Sequence, residues 1–269
     1  MGKYEEFYYE NDKNYPVSEY WELYDANHQA AIKKYHGHMF CPLCRLAPLT
    51  VANGMQLRYM KVVESDMDKH DEDCSYRRKK ANKKDNEYFY SDLEKTDIIN
   101  RLRSCMNRML KKSIKKTKPS EIKPKDKKQT RKSFLDFETE SGEIKYLPHR
   151  SLYSHKLEES LDIQTIYYGE CLLYIYKYMP NGKDIKMYYL KILNKKTKKQ
   201  ICDISITTMV YDYLVKTLKD VKNIPTEKDK AKKYYVCFSG EMRKEKNMLN
   251  CKLYDSRLLV LEECEEDTK

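Results

Sequence analysis

Two pairs of metal-competent side chains constrain this chain more than any other feature. Cys41 and Cys44 form C-x-x-C within Cys41-Pro42-Leu43-Cys44, and His70 and Cys74 form H-x-x-x-C. Pro42 suits the tight turn that lets both thiolates of the first pair face one point. Residues four apart share a helix face, so the second spacing predicts His70 and Cys74 on one helical turn. Together the four make a Cys3His set, the closed tetrahedron of a structural zinc site, with no position left for a substrate. His36 and His38 are alternative nitrogen donors. Leu49 to Val63, between the two pairs, reads as a hairpin turning at Asn53-Gly54.

Several enzyme classes drop out at this level. The seven glycines in 269 residues never take the spacing of a nucleotide-phosphate loop. Neither H-E-x-x-H nor G-x-S-x-G occurs. His70-Asp71-Glu72 contains the H-x-E of zinc deaminases, but that family places it before P-C-x-x-C, and here C-x-x-C comes first. There is no run of about 18 apolar residues, so no membrane span is expected. Glu6 stands where a myristoylation signal needs Ser or Thr. Nine cysteines, an odd number without an export signal, suggest reduced thiols in a cytoplasmic setting, or in a host nucleus if the source is viral.

The net charge of +11 is local. Between Tyr76 and Ser133 there are 21 basic and 7 acidic residues, net +14, so the remainder is slightly acidic. Such a segment attracts a polyanion by counterion release. Arg77, Arg78, Lys79 and Lys80 directly follow Cys74. A basic amphipathic helix is predicted from Ser91 to about Lys116, with Ile98, Leu102, Met106 and Met109 on one side and Arg101, Arg108, Lys111 and Lys112 on others. An earlier helix is predicted from about Ser18 to Tyr35. Residues 117–133, rich in lysine and proline, read as a basic linker. This divides the chain into a helical zinc-finger module (1–116), the linker, and a second module (134–269).

The second module changes period from helical to alternating. Strands are predicted at 168–179, 184–194, 200–206, 234–242 and 249–261, with a helix at 208–219 between the third and fourth. Three strands, a helix and two strands is the order of the OB-fold, a five-stranded barrel. OB-folds stack single-stranded bases on aromatic rings while lysines follow the phosphates. The candidate face is Tyr174, Tyr176, Tyr178, Tyr188 and Tyr254 with Lys186, Lys191, Arg243, Lys252 and Arg257. With 25 Tyr against 6 Phe, many rings are expected at the surface.

Two resemblances add to this. Cys41-Pro42-Leu43-Cys44 with His70-Asp71-Glu72-Asp73-Cys74 resembles the C-P-x-C…H-x-x-x-C finger of some bacterial and mobile-element proteins, such as the N-terminal finger of CoiA-type competence proteins. It covers about 35 residues and extends to no nuclease motif downstream. The strand order is similar to that of OB-fold proteins that bind single-stranded nucleic acid. The acidic run 262–267 (EECEED) is similar to the tails by which such proteins recruit protein partners, but the chain ends Thr268-Lys269, without their terminal aromatic.

The expectation is an α+β protein, with an N-terminal helical zinc-finger module and a C-terminal five-stranded OB-like β-barrel. Its expected function is non-enzymatic binding of nucleic acid, single-stranded DNA ahead of RNA, with zinc as its cofactor. The rival reading is a protein–protein interaction module, such as a phage or mobile-element inhibitor.

Overall fold

The computed structural model describes residues 4–10, 12–54, 58–62, 69–91, 97–110, 133–154, 156–182 and 184–264. The chain is mixed α+β and forms two compact units that interleave in sequence: residues 1–80 with 108–146, and 81–107 with 147–269. A cut at 117–133 therefore does not separate them. Backbone pairing and two ion pairs bind residues 136–146 to residues 78–80. Hydrogen bonds from Asn86 to Gln164 and from Ser239 to Tyr90 bind residues 81–90 into the second unit.

In the first unit, β1 (Glu6–Tyr9) lies between β2 (Asn14–Pro16) and β3 (Met39–Phe40), all antiparallel. The single helix expected at 18–35 is two helices, α1 (Val17–Ala26) and α2 (His28–Tyr35). Asn27 divides them: its backbone is extended, and its side chain accepts the Ala30 amide, capping a new helix start. An aromatic cluster fills the space beneath. Phe7 and Tyr35 meet edge to face at 5.3 Å, and Tyr20 lies 5.7 Å from Tyr35. The expected hairpin forms as β4 (Leu49–Asn53) and β5 (Arg58–Val62), Asn53 opposite Arg58. Finally β6 (Lys79–Lys80) runs parallel to β8 (Ile144–Tyr146), which pairs antiparallel with β7 (Asp136–Glu138).

The second unit begins with α3 (Lys83–Tyr90), started by a reciprocal capping box between Asn82 and Asp85. It includes α4 (Ile98–Met109) up to Asn107, with Ile98, Leu102, Cys105 and Met106 buried at helical spacing; Arg108 and Met109 belong to the first unit. Of the long basic helix predicted from Ser91, residues 92–96 and 111–116 lie outside the described residues, as does the linker up to residue 132. The strands are β9 (His149–Ser151), β10 (Thr165–Tyr178), β11 (Met187–Leu193) and β12 (Gln200–Thr207), then α5 (Thr208–Thr217), β13 (Lys232–Gly240), β14 (Met242–Glu245), β15 (Met248–Leu253) and β16 (Leu259–Glu263).

They form one sheet in the order β14-β15-β12-β11-β10-β13-β16, with β9 parallel to β10. All main-path contacts are antiparallel except β12 with β15. Strand by strand, none of the sheets closes into a barrel. The strand expected at 249–261 is two strands, because Asp255 accepts the Arg257 amide and turns the chain. The inward positions Leu173, Ile175, Leu190, Ile192, Ile204 and Ile206 form the core of the sheet.

Tyrosine does more core work than expected. Tyr20, Tyr35, Tyr167 and Tyr234 are buried, their hydroxyls directed to His36, Glu19, Ser160 and the Asp220 carbonyl respectively. A hydroxyl satisfied internally does not require the surface.

Gly240, at the end of β13, sits against Cys251 of β15. A Cβ there would fall 2.2 Å from the Cys251 sulfur. Gly240→Ala is expected to destabilise the protein by about 1–3 kcal/mol through overpacking. Adding Cys251→Ala should recover most of that loss in urea unfolding; equal effects with and without Cys251 would refute the steric account.

Candidate metal centre

The C-x-x-C pair sits on a tight turn after β3. The Cys41 amide donates to the Ala47 carbonyl at 2.8 Å and the Arg45 amide to the Cys41 carbonyl at 2.9 Å. Arg45 closes the turn with φ +62°, a left-handed conformation uncommon for a side-chain-bearing residue. Its side chain holds this position by lying 4.5 Å over the Tyr8 ring and donating to the Arg108 carbonyl at 2.7 Å.

His70 and Cys74 come together on a turn rather than the predicted helix. Asp71 is the reason: its side chain accepts the Asp73 amide and its carbonyl accepts the Cys74 amide. These local bonds replace the helical ladder that the spacing suggested.

All four side chains are buried, and their ligand atoms lie within 4.8 Å of one another. A tetrahedral ion with bonds of about 2.3 Å to sulfur and 2.0–2.1 Å to nitrogen requires S–S edges of about 3.8 Å and S–N edges of about 3.6 Å. The Cys41–Cys74 sulfurs are 3.9 Å apart, and Cys44 Sγ lies 3.4 Å from His70 Nδ1. The donor set therefore fits a metal ion. His36 is directed instead to Tyr20, and His38 to Glu10, so neither joins the cluster.

The electrostatics favour a cation. Hydrogen bonds from Cys41, then from Cys74, hold the Cys44 thiol well below its ordinary pKa despite burial. Burial, with hydrogen bonding to Cys44, pushes Cys41 up. Cys74 is raised as well, so the negative charge falls on Cys44 alone of the three thiols.

Tyr4 completes the surroundings, with its hydroxyl 3.1 Å from His70 Nε2. Nδ1 faces the sulfurs, and were it to ligate an ion, Nε2 would carry the proton and donate to Tyr4, the outer hydrogen bond that commonly fixes a ligating imidazole. No local pattern pointed to Tyr4, which lies 66 residues before His70.

Comparison of the chain with protein-family models, curated proteins and solved structures finds no match.

The other expected residues are dispersed. Arg77 is exposed beside the centre. Arg78 is engaged with buried Asp136 at 2.6 Å, and Lys79 lies 3.4 Å from Glu143. Lys80 is exposed within β6. Arg101 lies over the Phe89 ring at 5.3 Å, and Arg108 donates to the Leu43 carbonyl. Lys111 and Lys112 fall outside the described residues.

In the second unit, two cross-strand rows form on one face. One runs Tyr174, Lys191, Asp203, Asn250, Arg243; the next runs Tyr176, Tyr189, Ser205, Lys252. Tyr178 and exposed Tyr254 accompany them, and Lys186 is exposed just before β11. Tyr188 departs from the expected face. The alternation of β11 directs it to the opposite side, where it stacks on Tyr211 at 3.7 Å, and Tyr189 takes its place. Arg257 is turned onto Asp255 in a two-pronged ion pair.

Removing metal with a strong chelator should lower the melting temperature, and Tyr4→Phe should weaken metal affinity about tenfold or more. Competition titration checks the latter; unchanged affinity in Tyr4→Phe would remove Tyr4 from the site.

Proposed function

We propose that this chain is a non-enzymatic nucleic-acid-binding protein, built on a zinc-stapled module and an OB-like barrel, with single-stranded DNA as its preferred partner. The strand-pairing order carries the reading. β10 pairs with β11 and β13, β11 with β12, β12 in parallel with β15, and β15 with β14. Only Glu241 separates β13 from β14, so one bent strand, 232–245, reaches both β10 and β15. Taken as one strand, it would resemble the 1-2-3-5-4 order of an OB-fold, with a parallel contact between the third and fifth strands and α5 between the third and fourth.

The exposed face supports the same reading. OB-folds bind on the outer face around their second and third strands. Here that face carries Tyr176 and Tyr189, ring centres 6.3 Å apart, with Lys191 Nζ 5.2 Å from the Tyr189 ring. Aromatic rings offer stacking surface to any unpaired base, and cations follow the backbone. Arg77, Lys79 and Lys80 would add salt-sensitive attraction.

Zinc is the metal that best suits three thiolates and one imidazole. With all four tetrahedral positions taken by protein, its role is to hold the first unit together. The rival protein-interaction reading draws on α5, which exposes Met209 and Tyr213.

The test is a shift assay with single-stranded oligonucleotides at two salt concentrations. Raising salt fourfold should weaken binding by about tenfold or more if three or more phosphates are contacted. Tyr176→Ala and Tyr189→Ala should each weaken it by at least about fivefold. Absent or salt-independent binding would sink the nucleic-acid reading and favour the protein-contact one.

A further inference from the structure

The far end of the tyrosine rows, from Tyr189 to Lys252 and Arg243, lines a groove of about 630 Å³ within the second unit, walled by α3 on one side and by β11, β12, β14 and β15 on the other. That is within the range of small-molecule sites. Its electrostatics argue against a phosphate occupant, because acidic side chains outnumber basic ones four to three. One of its cations, Arg243, already lies 3.5 Å from both Asp162 and Glu241.

The groove does carry uncommitted hydrogen-bonding capacity. Asn86, on α3, is 1% exposed. Its Nδ2 donates to the Gln164 carbonyl, while its Oδ1 has no partner among the described residues. On the facing wall Ser205 donates to Asn250 Oδ1 at 3.2 Å, which fixes the amide's orientation and leaves its Nδ2 as a donor. Tyr189 and the exposed Tyr254 supply ring faces.

We propose that this groove receives one unstacked nucleobase whose pairing edge sets an exocyclic amino group beside an accepting ring nitrogen, adenine or cytosine, whereas guanine has an N–H at that place. This rests on the nucleic-acid reading and adds base selectivity to it. An amino group carries two hydrogens, so it can serve two acceptors in an acceptor-rich groove, whereas the thymine imide carries one. The neighbouring ring nitrogen of adenine or cytosine accepts from Asn250 Nδ2. An amide pairing with an adenine edge is a recurrent mode of base readout. The phosphates stay outside the groove, towards the β10 end of the rows, where Tyr174, Tyr176 and Lys191 lie. Because α3 lies outside the five barrel strands, the selectivity comes from an element added to the barrel.

The experiment measures affinity of the full chain for short dA, dC and dT homo-oligomers by fluorescence anisotropy. The expected result is at least tenfold tighter binding to dA or dC than to dT. Asn250→Asp keeps the acceptor for Ser205 and removes the donor; its added charge should lower affinity for all three oligomers, while the preference, the ratio that is read, falls to less than threefold. Tyr254→Ala, at an exposed position that does not threaten folding, should reduce the preference likewise. Equal affinity for all three oligomers, or a preference that survives both variants, would overturn the groove assignment while leaving the nucleic-acid reading intact. Failure to bind any oligomer would overturn both.

Discussion

Four buried ligands from two distant turns converge on one point, and the first unit is organised around that convergence. Three thiols and an imidazole would be poor core material by themselves: they carry charge or polar hydrogens into a space without water. The cluster is tolerable because its members hydrogen-bond one another, and a cation placed among them would neutralise the thiolate charge. Two of the four are positioned by local backbone bonds, Cys41 by Ala47 and Cys74 by Asp71. Tyr4 then ties the start of the chain to the same point. An ion held at this cluster would crosslink a unit that otherwise has only short strands and a small aromatic core.

The second unit solves the same problem by different means. It has a continuous apolar core along β10 to β13, and its long strands alternate cleanly between that core and the outer face. Burial alone specifies the register there, because a one-residue slip would turn the isoleucines outward. The outer face is thereby fixed without having to contribute stability, so tyrosines and cations can occupy it.

Much of this was legible in the sequence wherever spacing alone decides. The ligand pairs, the β4–β5 hairpin and the alternation of the later strands follow from residue periodicity. What was not legible depends on local competition or parity. Asp71 captures amides that a helix would have used, and Asn27 ends one helix by starting another. Tyr188 and Tyr189 differ only in which face the register of β11 gives them, a choice made by Leu190 and Ile192 facing inward. Lys and Pro made 117–133 read as a divider, but the pairing of β6 with β8 is nonlocal and leaves no mark in composition.

That nonlocal pairing bears on how the chain is made. The first unit needs β7 and β8, which are synthesised after α3 and α4; those helices in turn belong with strands still to come. Neither unit can be completed in the order in which its residues emerge. The nascent chain must hold an incomplete first unit and two unplaced helices until residue 146 has been added, and the helices must wait longer still. For a chain this rich in thiols and aromatic rings, that interval exposes surface which the finished protein covers, and a metal ion held early by Cys41, Cys44, His70 and Cys74 would steady the unfinished first unit.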